Sequence, residues 1–301
     1  MRKILVLGGT RFFGKRLVQK LIENGDKVTI ATRGETKDSF GNSVNRLKVD
    51  RFNRRSMERA FDDETWDVIY DQICFSPDDA RDALEIFEGK VKKYVLTSTL
   101  SVYPFDEKAL KVEKDFDPFV YDLEDGRKED FEYGEGKRLA EAVLLQEATF
   151  PVVAPRPPIV LGLDDYTERL QYYVRKILSD EVIGIDDSDT KLSFVEAGDL
   201  AEFLFWVGFQ NLNGPVNTSA PDQITLGEMI KVIEKKIGKK GKVEQPKMKS
   251  ESSPMNFPVS IYQDVSMAKA AGYEFMPLSQ WFEPLIEQIV EQELKVSTKG
   301  S

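Results

Sequence analysis

The sequence predicts an α/β fold, a doubly wound parallel sheet with a smaller α+β lobe in its C-terminal part. Three observations predict it. A glycine-rich turn, Gly8-Gly9-Thr10-Arg11-Phe12-Phe13-Gly14, joins a short apolar run to an amphipathic stretch. Strand-like runs then alternate with helix-like stretches as far as Ala154. Beyond Pro158 the runs shorten and the alternation breaks. Of the 301 residues 41% are hydrophobic, enough to build a substantial core.

The turn explains itself residue by residue. Lys3-Ile4-Leu5-Val6-Leu7 reads as a buried strand, and residues 13–24 read as a helix. Gly8 turns the chain sharply off the strand. Gly9 lets backbone N–H groups approach a pyrophosphate, and Gly14 lets the helix lie close to the strand. Phosphates would then sit at the positive end of that helix. Gly8, Gly9, Thr10, Arg11, Phe12, Phe13 and Gly14 are therefore candidate cofactor contacts in a Rossmann-like unit. Arg11 stands where such turns usually carry a middle glycine. The next strand, residues 27–32, ends at Arg33, where NAD-preferring folds place an acid for the ribose 2′-OH. Two arginines suit a 2′-phosphate, so NADP(H) is expected over NAD(H).

Leu47-Lys48-Val49 is a third short strand ending at Asp50-Arg51, and both residues are candidate cofactor contacts. Asp50 is placed to meet an adenine amino group, or to cap the turn or a helix near 56–61. Residues 66–73 form the fourth strand, and its end adds Gln72 to the candidates. A helix at 77–87 and a fifth strand at 93–97 follow, leading into Ser98-Thr99-Leu100-Ser101-Val102-Tyr103. Residues 105–132 carry eleven acidic and five basic side chains and read as a solvated loop over the mouth of the site. A helix spans about 131–149, and Val152-Val153-Ala154 is a sixth strand ended by Arg156-Pro157-Pro158.

Further helices are expected at 166–178, 199–209, 225–237, 267–271 and 278–291, with short strands at 183–185, 192–195 and 214–217. Phe203, Leu204, Trp206 and Val207 should form one buried face, and Thr225 should cap its helix. Arg169, Tyr172, Tyr173 and Arg175 fall near the expected cleft, where they would grip a phosphate or stack on a ring, or else cover the outside of a helix. Residues 297–301 should fray. The expected organisation is a cofactor-binding domain, 1–157 with about 192–218, and a substrate lobe, 158–191 with 219–301. The lysines between 235 and 249 follow a helix end at Gly238 and read as a solvated turn.

Composition excludes several functions. Net charge is −10, from 42 basic and 52 acidic side chains, which works against nucleic-acid and anionic-membrane partners. No apolar run approaches the ~20 residues of a membrane span. The apolar run after Lys3 is too short for the core of a signal peptide, so a cytoplasmic protein is expected. The single cysteine, Cys74, permits no internal disulfide and reads as a buried thiol. Histidine is absent, which removes Ser-His-Asp hydrolysis and histidine metal sites; no metal is expected. Acid–base chemistry falls to Tyr, Lys, Asp or Glu.

Tyr133 and Lys137 lie four apart at a helix start and share one face. Tyrosine is a poor base at neutral pH, with a pKa near ~10. A neighbouring ammonium favours its phenolate. Beside a nicotinamide ring such a tyrosine moves a proton while a hydride passes between ring and substrate. Lys137 is also placed to hold the nicotinamide ribose. The Thr97-to-Ser101 segment offers a third donor for the substrate oxygen.

Taken together, Gly8-Gly9-x-x-x-x-Gly14, the Thr-Ser-Thr segment before Val102-Tyr103, Tyr133-Gly134-x-x-Lys137-x-x-x-Glu141 and Arg156-Pro157-Pro158 resemble the extended short-chain dehydrogenases/reductases, the NAD-dependent epimerase/dehydratase family. Phe194-Val195-Glu196-Ala197-Gly198-Asp199-Leu200-Ala201 and Met267-Ala268-Lys269-x-x-x-Gly272-Tyr273 extend the resemblance over nearly the whole chain. It implies Tyr133 as acid/base, Lys137 as its partner, Thr99 as the catalytic hydroxyl, and Pro157 and Ile159 beside the nicotinamide. The family's dehydratases carry Asp-Glu after the threonine. Leu100-Ser101 stand here, which argues against dehydration. The Gly-Gly-Thr-Arg-Phe-x-Gly form is similar to an atypical branch that includes chloroplast RNA-binding proteins. The expected activity is an NADP(H)-dependent oxidoreductase or epimerase acting on a hydroxyl or carbonyl substrate, such as a nucleotide sugar. The alternative is a non-catalytic nucleotide-sensing or RNA-binding relative. Family members often dimerise through paired helices, and this sequence leaves its own oligomeric state open.

Overall fold

The computed structural model describes residues 1–61 and 64–299. The first half alternates as predicted: β1 (Lys3–Leu7), α1 (Phe12–Glu23), β2 (Lys27–Thr32), β3 (Asn45–Lys48), α2 (Arg54–Phe61), β4 (Val68–Asp71), α3 (Pro77–Phe87) and β5 (Tyr94–Leu96). A two-residue strand, β6 (Leu110–Lys111), precedes α4 (Tyr133–Glu147), β7 (Val152–Arg156) and β8 (Ile159–Leu161). Then come α5 (Arg169–Leu178), β9 (Val182–Gly184), β10 (Lys191–Leu192), β11 (Phe194–Glu196), α6 (Ala197–Val207) and β12 (Gly214–Asn217). The chain closes with β13 (Ile224–Thr225), α7 (Leu226–Ile237), β14 (Lys242–Glu244), β15 (Tyr262–Gln263), α8 (Ser266–Ala270) and α9 (Leu278–Lys299).

Seven strands form one parallel sheet in the order β12-β7-β5-β4-β1-β2-β3. The order reverses between β1 and β4, so the loops after these two strands diverge and open a crevice at their carboxyl ends. That crevice holds the site. The central strands are continuous apolar runs because both faces are covered. On one face Leu17, Val18 and Leu21 of α1 pack with Leu200, Leu204 and Val207 of α6. On the other, Met57, Phe61, Ala83, Phe87, Ala140 and Leu144 come from α2, α3 and α4. Each fully buried Val, Leu, Met or Phe side chain among them contributes about 1.5–3 kcal/mol. A third cluster joins α5, α7 and α9 through Tyr173, Val174, Met229, Ile233, Phe282 and Ile286.

Some expectations need correction. The acidic segment at 105–132 is not a free loop over the mouth. Its first half pairs β6 with β15 and buries Lys111, Glu113 and Phe116. Its second half is tied to α3, where Arg127 meets Asp79 at 3.2 Å and Asp82 at 2.8 Å. The last helix runs on to Lys299 rather than ending near Glu291; Gly300 and Ser301 lie outside the described residues. Trp206 is only half-buried. The Thr225 cap forms as a reciprocal pair with Glu228, a capping box.

Candidate active site

The glycine turn adopts left-handed backbone at Gly8 (φ +100°) and Gly9 (φ +81°), which side chains resist. The other glycine roles differ from the expected ones. A Cβ on Gly9 would lie 2.8 Å from Val6 Cγ1 and 2.9 Å from Val18 Cγ2, so Gly9 brings helix to strand. A Cβ on Gly14 would collide with the Gln72 amide, so Gly14 makes room for Gln72. Arg11 begins α1 with no side-chain cap and no acid follows in the first turn, which leaves the helix's first N–H groups for a ligand. The Gln72 Nε2 is buried without a hydrogen-bond partner. An open helix end, a glycine cradle and an unpaired amide donor fit an anionic pyrophosphate.

Arg11 Nη2 donates to Thr36 Oγ1 at 3.1 Å, reaching the loop after β2. Arg33 lies in the same loop, paired with Glu35 at 2.8 Å, and both side chains are more than half exposed. Asp50 accepts the Phe52 N–H through Oδ1 at 3.1 Å, which is a turn-capping bond. Arg51 does not face a ligand. It is 2% exposed, donates to Asp71 Oδ2 at 2.9 and 3.0 Å, and reaches the Asp79 carbonyl at 2.8 Å. Burial is the largest single influence and works against its charge, but Asp71, Cys74, Tyr94 and Asp79 together outweigh it and raise its pKa well above the ordinary value. Position after β3 suggested a cofactor contact; the buried carboxylate at the end of β4 draws the side chain inward instead.

Tyr133 opens α4, and its ring lies 6.4 Å from that of Phe75. It is 54% exposed, so its hydroxyl is open to a substrate. Lys137 sits one turn deeper and is 1% exposed. Its Nζ donates to the carbonyls of Cys74 (2.8 Å) and Thr97 (2.6 Å), leaving one of three N–H donors uncommitted. Two glycines let this turn lie flush on its neighbours. A Cβ on Gly134 would stand 2.7 Å from the Ser101 carbonyl oxygen, and one on Gly136 would stand 2.5 Å from that of Phe75. Thr99 Oγ1 accepts the Ser101 N–H at 3.2 Å and lies on the same wall.

Behind this wall is a buried ion pair. Arg156 binds Glu141, which also accepts the Ser98 hydroxyl. Arg156 further reaches the Tyr103 hydroxyl at 2.9 Å and the carbonyls of Glu113 and Phe116. These bonds hold the ends of β5 and β7 in register behind Thr99. The Cys74 thiol is buried and burial pushes its pKa up, as a structural thiol requires.

Phe12, Phe13, Gln72, Thr99, Tyr133, Lys137, Pro157 and Ile159 line one cleft of about 330 Å³. The structure adds Phe75, Asp165, Tyr166, Thr167, Arg169 and Phe257, of which only Arg169 was singled out by sequence. A larger depression of about 510 Å³ lies at the opposite end of the sheet and holds none of the candidate groups. Tyr173 is buried against Ser253, and Tyr172 and Arg175 line a different surface. Several of the lysines between 235 and 249 are paired locally: Lys236 meets Glu287, Lys240 meets Glu234 and Lys242 meets Asp180. Among the described residues no helix is long and apolar enough to cross a membrane.

A Rossmann-like parallel sheet whose glycine turn shares a cleft with a Tyr-x-x-x-Lys helix defines a protein of the extended short-chain dehydrogenase/reductase class. The model of the NAD dependent epimerase/dehydratase family matches residues 4–219, and the chain belongs to that family, one of enzymes named for a nicotinamide cofactor. Solved structures of the same fold include the UDP-glucose 4-epimerase of Thermotoga maritima (19% identity, TM-score 0.73, covering 97% of this chain and 99% of that one). The UDP-N-acetylglucosamine 4-epimerase of Methanobrevibacter ruminantium M1 superposes at TM-score 0.75 with 17% identity, covering 98% of each chain. The UDP-glucuronic acid 4-epimerase of Bacillus cereus, solved with UDP-glucuronic acid and NAD, gives TM-score 0.73 at 19% identity, covering 96% of this chain and 99% of that one. A curated relative from Arabidopsis thaliana, the chloroplast stem-loop binding protein of 41 kDa b, is 25% identical over 205 residues, 64% of this chain. The chain spans about half the length (51%) of that relative.

Proposed function

We propose that the protein is an NADP(H)-dependent oxidoreductase or epimerase acting on a hydroxyl or carbonyl carbon, with a nucleotide sugar as the favoured substrate class. The observation that carries the reading is the shared cleft: Tyr133, Lys137 and Thr99 face the same space as Gln72, Pro157 and Ile159. A nicotinamide ring bound there would take up or return the hydride. The chain's own residues do the rest. Tyr133 holds or accepts the proton at the substrate oxygen. Thr99 hydrogen-bonds that oxygen. Lys137, anchored on two carbonyls, turns its remaining N–H toward Tyr133 or a ribose hydroxyl. Gly8, Gly9, Thr10, Phe12, Phe13, Gly14 and Gln72 would hold the pyrophosphate end, and Asp50 the adenine. Arg11 and Arg33 favour the 2′-phosphate. Several neighbours contain NAD, so the phosphate preference rests on these two arginines alone.

Calorimetric titration with NADPH and with NADH tests the cofactor. The expected result is tighter binding of NADPH, lost in an Arg11→Gln/Arg33→Gln double variant; equal or tighter binding of NADH would refute the two-arginine argument. Tyr133→Phe should retain cofactor affinity and lose turnover by at least ~100-fold. A variant that turns over normally would remove Tyr133 from the mechanism.

The name of the chloroplast relative favours one alternative, binding of a structured nucleic acid. The net charge of −10 and the carboxylate pairs of Lys236, Lys240 and Lys242 stand against it. Filter binding of a stem-loop RNA at physiological salt separates the two readings.

A further inference from the structure

The loop between β8 and α5 carries features that the cofactor chemistry does not use. Asp165 is 3% exposed and lines the cleft that holds Tyr133 and Thr99. Its Oδ1 is fully engaged, accepting the Thr167 N–H at 2.9 Å and the Thr167 hydroxyl at 2.6 Å. Its Oδ2 accepts no hydrogen bond. The nearest cation is Arg169, 3.9 Å away at Nη1, and Arg169 spends that group on Thr167 Oγ1. A buried carboxylate oxygen without a donor is costly, and functional sites are where such groups persist.

The backbone supports the same conclusion. Glu168, between Thr167 and Arg169, sits at φ +53°, a left-handed conformation that a non-glycine residue adopts only under constraint. The loop is also braced from outside. Arg16 pairs with Asp164 at 2.8 Å, and Tyr166 packs edge-on to Phe12 at 6.3 Å. A Cβ on Gly162 would lie 2.9 Å from the Phe12 ring, so the loop rests directly on the glycine turn. Bracing and strain together hold Asp165 and Arg169 at the cleft wall before any ligand arrives.

We infer that Asp165 and Arg169 form a substrate subsite, in which Asp165 Oδ2 accepts a ring hydroxyl and Arg169 binds an anionic group of the same molecule. The subsite rests on the function proposed above and assigns its specificity. It takes a substrate that carries both free hydroxyls and a phosphate or carboxylate. A cofactor ribose presents the same hydroxyl chemistry, and the cleft that Asp165, Thr167 and Arg169 line also takes in Phe12 of the glycine turn as well as Pro254 and Phe257, so the NADPH arm of the test separates the two occupants.

The test compares UDP-glucose with UDP, each titrated into the NADP⁺-loaded protein, in wild type and in Asp165→Asn. If Asp165 accepts a sugar hydroxyl, wild type prefers UDP-glucose to UDP, and Asp165→Asn loses that preference by about ten-fold. Binding of UDP itself stays the same or tightens, because Arg169 is freed of a neighbouring negative charge. NADPH affinity stays within two-fold. An unchanged UDP-glucose to UDP ratio overturns the inference, and so does a loss that falls on NADPH. Wild type that binds NADPH but not UDP-glucose overturns the subsite while leaving the oxidoreductase reading intact; failure to bind either nucleotide removes both. Arg169→Gln, at a half-exposed position that tolerates change, supplies a second readout. It should weaken UDP and UDP-glucose equally, and an unaltered affinity for both overturns the anionic half of the subsite.

Discussion

Replacing Arg51 by methionine separates a structural arginine from a ligand-binding one. Methionine keeps much of the aliphatic stem and removes the guanidinium. Three hydrogen bonds go with it, two to Asp71 and one to the Asp79 carbonyl. Asp71 is wholly buried and keeps only the Tyr94 hydroxyl at 2.6 Å and the Ile73 N–H at 3.0 Å. Breaking a buried pair in this way costs about 3–5 kcal/mol. At about 1.6 °C per kcal/mol for a chain of this size, Tm should fall by roughly 5–8 °C. Asp71→Asn in the Arg51→Met background removes the stranded charge and should recover part of the loss, with a coupling energy of about 1–3 kcal/mol. The assays are thermal unfolding of the four proteins of the cycle and an NADPH titration of each folded one. Stability within about 0.5 kcal/mol of wild type, together with weaker cofactor binding, would refute the buried-clamp account and return Arg51 to the cofactor site.

Gly136→Ala places a methyl group 2.5 Å from a backbone carbonyl oxygen that cannot rotate away. It should cost about 1–3 kcal/mol and lift the first turn of α4, weakening cofactor affinity through Lys137; unchanged unfolding and unchanged affinity would show that the turn is not seated as described. Arg46 hydrogen-bonds the Asp38 carboxyl at 3.0 Å through Nε and 2.6 Å through Nη2, holding its pKa below the ordinary value. Because the folded value is depressed, this pair stabilises the fold above the unfolded carboxyl pKa near ~3.9 and ceases to do so as pH falls through the folded value. Arg46→Ala should return Asp38 toward the ordinary range in a carboxyl NMR titration, and a carboxyl that stays depressed would assign the shift to another group.

Much of the site was legible because it depends on local rules. The Gly8-to-Gly14 turn must follow a strand and open a helix, and Tyr133 and Lys137 share a face at any i, i+4 spacing on a helix. Thr99, Pro157 and Ile159 were legible only through the resemblance, since their common wall is built from two strands paired across the sheet. Arg51 was misread because a cation at a strand end looks the same in sequence whether it meets a ligand or a buried acid twenty residues on. The roles of Gly9 and Gly14 differed from expectation for a related reason. Which atoms a missing Cβ leaves room for is set by Val18 and Gln72, not by the turn itself.

By itself the sequence determined the alternation of strands and helices, the reversal of direction at the glycine turn, and a tyrosine–lysine face with no histidine to compete for acid–base work. These follow from periodicity, turn sterics and residue chemistry, which act over a few residues. The tertiary structure decided which charges are structural and which are free. Arg51 and Arg156 are consumed inside the protein, Lys236, Lys240 and Lys242 are paired, and Asp165 is left with an unanswered carboxylate oxygen in the cleft. A charge's role depends on how much water its position excludes and on which partners distant segments bring within about 3 Å, and neither quantity exists until the chain has packed.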